Sequence, residues 1–293
     1  MKKFVLFHSR TYNRLITFAH PTQAQKIIET IEGDHRVSLM TDSGAYSRKV
    51  DIDAYMAFLQ RHGKTLDCYV NADVIGNGER SWRNYQLMRK KGFKPIPVWH
   101  AETDVKYLLR YLDDTGYVGI GGIAGKGNTS KKNFQILDPI FREHLLDSAG
   151  FPKVRLHAFG LSFEVLKRYP FWSADSAGWA VAGGKYYTLF IPKLKNGKWD
   201  FLEIPRKIRV GTELEDLSKH LLTLPGPERE EVMRYLEENG FRYGVFKYEG
   251  KTRVDIIDGL FNTQPLRDRV NVLFYLNFVK SLPPWPWPLR FVD

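Results

Sequence analysis

From residue 3 to residue 176 the chain alternates short apolar runs with longer stretches in which apolar residues recur every three or four positions. The runs are 3–9 (KFVLFHS), 37–43 (VSLMTDS), 67–73 (DCYVNAD), 94–100 (KPIPVWH), 117–123 (YVGIGGI), 154–160 (VRLHAFG) and 170–176 (PFWSADS), with an eighth at 186–192 (YYTLFIP). The stretches between them include 51–63, 79–92, 103–114 and 130–148. In 103–114, Val105, Leu108, Leu109 and Leu112 fall on one face of a helix. Strands that alternate with helices predict a parallel sheet covered on both faces. Seven or eight such units predict a closed (β/α)8 barrel of the TIM type, with an open doubly wound sheet as the structural alternative.

The last third follows another pattern. Residues 196–207 read as a turn and an extended piece. Residues 212–224 read as a helix in which Thr212 and Glu215 fit a capping box. A second helix over 227–240 stops at Gly240, a hairpin over 241–257 turns at Glu249–Gly250, and a third helix covers 265–282. The prolines of the PPWPWPLRFVD tail exclude a helix there. The expected organisation is a catalytic barrel over 1–210 and a C-terminal helical appendage with a small hairpin over 211–293.

Composition narrows the partners. The 293 residues carry a formal net charge of +11, which favours an anionic partner, nucleic acid being the commonest. The single cysteine, Cys68, excludes an internal disulfide and a cysteine-based zinc site, and its apolar run marks it as a core residue. The first ten residues lack the apolar core and cleavage site of a signal peptide, and no stretch reaches the length of a membrane span. The expectation is a cytoplasmic protein with no membrane partner.

In a barrel of this kind the active site lies at the carboxyl ends of the strands. Asp42 ends the second predicted strand within TDSGAY, Asp73 the third, and His100 the fourth; Asp175 ends the seventh. An Asp before Ser-Gly is also an ordinary turn residue. Asp175 stands between Trp172 and Trp179, where an unpaired carboxylate is costly. His157 reads as a core histidine with both ring nitrogens satisfied; His100 is open to either a structural or a functional reading. The run Gly119, Gly121, Gly122, Gly125, Gly127 fits no dinucleotide or P-loop spacing. It suits close backbone approach to a flat ligand.

The ordered set TDSGAYS, VNADVIG, YVGIGGIAGKGN, VRLHAFGLS and FWSADSAGW resembles the guanine transglycosylases, (β/α)8 enzymes that exchange guanine for a 7-deazaguanine. The likeness covers roughly residues 37–180. It implies Asp175 as the nucleophile toward the anomeric carbon and Asp42 as the general acid/base. It implies Asp73, Gly121 and Gly122 as readers of the base, with Tyr46 as a stacking platform and His100 beside them. No cofactor and no metal are implied. The chemistry agrees with the residue types: one carboxylate traps an oxocarbenium-like sugar while another handles protons. The chain departs from the family in having Ala45, Tyr46 and Ser47 where Gly-Phe-Gln is usual. It also has no cysteine after Cys68, so it lacks the Cys3His zinc site of tRNA-acting members. These departures resemble the DNA-acting branch of phages and bacteria, and imply DNA and a free 7-deazaguanine base as substrates.

Lys126, Lys131 and Lys132 follow the glycine run at the expected active face and are the candidate phosphate contacts. Lys90 and Lys91 read as helix-end cations. The same chemistry on tRNA is the first rival reading. A metal-dependent barrel hydrolase using His8, His100, His157 and Asp175 is the second, weakened by the absence of a His-x-His pair. The third is a non-catalytic nucleic-acid-binding relative. The oligomeric state is not legible.

Overall fold

The structure is a computed structural model. It describes residues 3–7, 12–31, 34, 37–123, 129–160, 163–212, 218–250 and 252–291, with backbone only at 3–7 and 12. Two compact units emerge: Lys2–Ser176 together with Pro283–Asp293, and 177–282. The first division along the chain between these units falls at residue 176, and residue 210 lies within the second.

The first unit is a mixed α/β fold. Its strands are β1 (Lys3–Phe7), β2 (Tyr12–Thr17), β3 (Val37–Asp42), β4 (Cys68–Tyr69), β5 (Val98–His100), β6 (Tyr117–Gly121), β7 (Arg155–Phe159) and β8 (Ser173–Ser176). Its helices are α1 (Pro21–Ile31), α2 (Ile52–His62), α3 (Gly78–Lys90), α4 (Val105–Asp114), α5 (Ser130–Ile140) and α6 (Phe163–Arg168). All eight strands belong to one sheet in the order β4-β3-β2-β1-β8-β7-β6-β5. Strand β1 is antiparallel to both β2 and β8; the other ladders are parallel. Just past β4, Val70 makes a parallel bridge to Ile96, and Asn71 N–H donates to the Ile96 carbonyl at 2.9 Å.

Alternation along the strands sorts the apolar residues into two cores. Leu39 and Ile16 pack with Tyr55, Phe58 and Leu59 of α2 and with Ile28 of α1. Their neighbours Met40 and Leu15 turn to the other face and join Val70, Ile96 and Val98, with Tyr117 and Phe159 packed against them. Helix starts are fixed by capping: the Asp51 carboxylate accepts from Asp53 and Ala54 N–H, and Asn77 and Asp104 act likewise for α3 and α4. The basic residues Arg89 and Lys90 lie in the last turn of α3, as the helix dipole favours. Beyond α5 the stretch 130–148 continues as a π-helical turn over Phe141–Leu145.

Two expectations are corrected. Strand β2 was not anticipated, because only Leu15 and Ile16 in its centre are aliphatic and it lacks a long apolar run. The run at 186–192 does not enter the eight-stranded sheet. Part of it forms β9 (Thr188–Ile191) in the second unit.

The second unit begins with α7 (Gly178–Lys185) and β9, followed by β10 (Lys193–Lys195), β11 (Lys198–Asp200), β12 (Arg206–Arg209), α8 (Gly226–Glu238), β13 (Val245–Glu249), β14 (Thr252–Ile257) and α9 (Gln264–Ser281). Asn196 and Gly197, at φ 51° and 77°, turn the β10–β11 hairpin as an Asn-Gly pair commonly does. Strand β12 pairs antiparallel with β9. Leu189, Ile191, Ile208, Val232, Leu236 and Val270 form the core of this unit. The helix expected over 212–224 is reduced, among the described residues, to a 3-10 turn at Leu221–Thr223; Glu215 lies outside them. Among the described residues no helix is long and apolar enough to cross a membrane.

Candidate active site

The carboxyl ends of β3, β4 and β5 bring together the first group of polar residues. Asp42 is the last residue of β3 and is buried. Its Oδ1 accepts the Gly44 N–H at 2.9 Å, closing a turn that needs Gly44 at φ +81°. A side chain at 44 would meet the Ala19 backbone nitrogen at 2.6 Å, so glycine is required on two counts. Ser43 Oγ then donates to Asp73 Oδ1 at 3.0 Å, and His100 Nε2 lies 2.8 Å from Asp73 Oδ2. Both oxygens of this buried carboxylate are thus engaged, which compensates its burial. The Tyr55 phenol, which donates to the Val70 carbonyl at 2.8 Å, is held well above its usual range, first by burial and then by the charges of Asp42 and Asp73.

Glycines 121 and 122 border this group. A Cβ on Gly121 would stand 3.1 Å from His100 Nδ1 and 3.2 Å from a Val98 methyl. One on Gly122 (φ +73°) would strike the Glu102 carboxylate. At Gly122 the positive φ favours glycine, whereas the Glu102 carboxylate is the end of a flexible side chain that can move; at Gly121 a methyl would need His100 or Val98 to shift by a few tenths of an ångström. His100 Nδ1 is buried without a hydrogen-bond partner, 4.0 Å from Glu102 Oε1.

The second group lies at β8, β7 and β6. Asp175 is 4% exposed, and its Oδ1 accepts the Gly160 N–H at 3.0 Å. Gly160, at φ +64°, follows the last residue of β7. His157 Nε2 stands 3.7 Å from the same oxygen. His157 Nδ1 lies 2.6 Å from Ser173 Oγ, which lies 2.5 Å from the Tyr117 hydroxyl. Burial raises the Tyr117 phenol above its usual range. The expectation that both His157 nitrogens are satisfied is corrected: Nδ1 is bonded, Nε2 is not.

Strand alternation places the two groups on one face. Met40 packs in the cluster that also receives Tyr117 and Phe159, and Asp42 is two residues beyond Met40. Tyr117 reaches Ser173, and Asp175 is two residues beyond Ser173. Asp42, His100, Gly121 and Asp175 thus share the carboxyl ends of the strands, and Asp73, in the loop after β4, joins them through His100. Tyr46 does not join them inside; it is 83% exposed on the turn after Gly44. Lys131 and Lys132 are exposed in the first turn of α5, whereas Lys126 and His8 lie outside the described residues.

Sequence reasoning missed Ser43 and Gly160 as partners of the acids, and Ser173 and Tyr117 as the pair that engages His157. Only Gly160, at the end of an apolar run, carries a recognisable signal. Among the described residues no group of three or more His, Cys, Asp or Glu side chains is placed to hold a metal ion. Asp42 and Asp175 are two buried carboxylates on separate strands, each accepting a backbone N–H. A scan against protein-family models and a search of the curated proteins both return no match to the chain.

Proposed function

We propose that the chain is a DNA guanine transglycosylase, exchanging guanine in DNA for a 7-deazaguanine base such as 7-cyano-7-deazaguanine. The observation that carries the reading is the placement of Asp42 and Asp175, buried at the ends of β3 and β8 on one face of the sheet. In this reading an Asp175 oxygen bonds to the sugar C1′ as the C1′–N9 bond breaks. The electron pair leaves with the guanine, which takes a proton from Asp42. The incoming base returns its N9 proton to Asp42, attacks C1′ and releases Asp175 as a carboxylate. Asp73, fixed by Ser43 and His100, accepts hydrogen bonds from the base edge.

The same reading takes the eight strands as a closed barrel. The Val70–Ile96 bridge, which links the two edge strands of the sheet order, supports closure. So does an internal cluster that draws on β2, β3, β5, β6 and β7. The net charge of +11 supports a nucleic-acid partner, and the lack of cysteine after Cys68 supports DNA over tRNA.

The test is base exchange. Purified protein is incubated with 7-cyano-7-deazaguanine and with DNA or tRNA carrying labelled guanine. Release from DNA, abolished in Asp175→Ala while DNA binding persists, is expected. Release from tRNA alone would keep the chemistry and change the partner. No release from either would overturn the proposal.

A further inference from the structure

The buried histidine beside Asp175 exchanges no proton in the proposed reaction. His157 is fully buried, and the Phe159 ring packs edge-on against its imidazole at 4.3 Å. Its two nitrogens differ. Nδ1 is in a short contact with Ser173 Oγ, itself in a short contact with the Tyr117 hydroxyl. Nε2 has no hydrogen-bond partner and faces Asp175 Oδ1 at 3.7 Å.

With a neutral imidazole, only one direction of proton donation satisfies this chain. If Tyr117 donates to Ser173 and Ser173 donates to Nδ1, the imidazole proton sits on Nε2 and faces the carboxylate. In the opposite direction a bare Nε2 lone pair would face a carboxylate oxygen, and the Tyr117 proton would have to leave its hydroxyl partner for another acceptor. The first arrangement joins a donor to an acceptor at every contact. A separation of 3.7 Å is too long for a hydrogen bond, but such contacts tighten when substrate binds.

We propose that His157 is the positioning residue of Asp175: Tyr117 and Ser173 fix its proton on Nε2, and that N–H orients Oδ1 so that the carboxylate meets the sugar in one geometry. The inference rests on Asp175 being the nucleophile. His157 exchanges no proton with substrate. Its N–H serves the free carboxylate and, equally, the carbonyl oxygen of the ester that attack would form.

The experiment compares wild type with His157→Leu, His157→Gln and Tyr117→Phe in the DNA base-exchange assay. His157→Leu removes the donor; His157→Gln keeps an N–H near the Nε2 position. The expected result is a fall in kcat of about 10- to 100-fold for His157→Leu with KM for DNA unchanged, and recovery of most of it in His157→Gln. Tyr117→Phe should give a smaller fall. Equal losses in both His157 variants, or a change confined to KM, would overturn the proposal. A second readout needs no activity: long-range proton–nitrogen correlation on 15N-histidine-labelled protein reports the tautomer. A proton on Nε2, with a resonance displaced by Asp175→Ala, is expected; a proton on Nδ1 would sink the proposal. If wild type releases no guanine, the function reading falls by itself and the tautomer measurement still decides the role of His157.

Discussion

His100 Nε2 lies 2.8 Å from Asp73 Oδ2, and both side chains are buried. The pairing ties the loop after β4 to the end of β5. Removing the imidazole leaves Asp73 with Ser43 as its remaining side-chain partner in this network. His100→Ala should cost about 1–3 kcal/mol in urea unfolding, the range for a buried polar group deprived of a partner. The double variant with Asp73→Ala should lose less than the sum of the two single losses, by about 0.5–3 kcal/mol. Strict additivity would show that the two groups do not support each other.

Gly44 holds the turn that seats Asp42. Alanine there must adopt φ +81° and press on the Ala19 backbone. Gly44→Ala should destabilise the protein by about 1–3 kcal/mol. Thermal or urea unfolding within about 0.5 kcal/mol of wild type would show that the turn relaxes without strain.

His220 gives the second unit a pH dependence. Its Nδ1 accepts the Leu222 N–H at 3.2 Å and its Nε2 lies 3.0 Å from the Gly211 carbonyl, an arrangement suited to the neutral ring. Burial lowers its pKa below the ordinary histidine value, against the opposing pull of backbone hydrogen bonds. The unfolded chain therefore binds the proton more readily. The contribution is full above about pH 6.5 and is lost as pH falls toward the folded-state value. The stability difference between wild type and His220→Gln should shrink between pH 7.5 and pH 5. A difference that grows on acidification would reverse the sign and refute the assignment.

Lys131 and Lys132 are exposed where α5 begins, a helix end that already favours anions. On the DNA reading, replacing both by alanine should reduce the slope of log affinity against log salt by about 0.9 for each phosphate that is no longer neutralised. An unchanged slope would remove them from the interface.

What the sequence disclosed followed from periodicity. Leu39 and Met40, adjacent and both apolar, read as strand because both faces are covered; β3 is where they stand, each in a different core. Asp42, Asp73 and Asp175 were legible as strand-end acids because each follows such a run. Strand β2 was not, since Asn13, Arg14 and Thr17 interrupt its apolar signal. The antiparallel setting of β1 left no trace, because strand direction is written in pairing partners and not in composition. Ser173 was invisible for a related reason: a serine in an apolar run shows its role only when Tyr117 and His157, distant in sequence, arrive beside it.

Strand β1 pairs with β8 through Val5 opposite Asp175 and Phe7 opposite Ser173, so the first strand of the sheet waits for the last. Pairings this distant along the chain are slow to form. On a ribosome adding about 5–20 residues each second, roughly 10–30 seconds separate the emergence of the two strands. Until β8 is made, β1 has only β2 beside it, and the segment that carries Asp175 does not exist. The nascent chain is thus without a complete set of acids until Asp175 itself has been added.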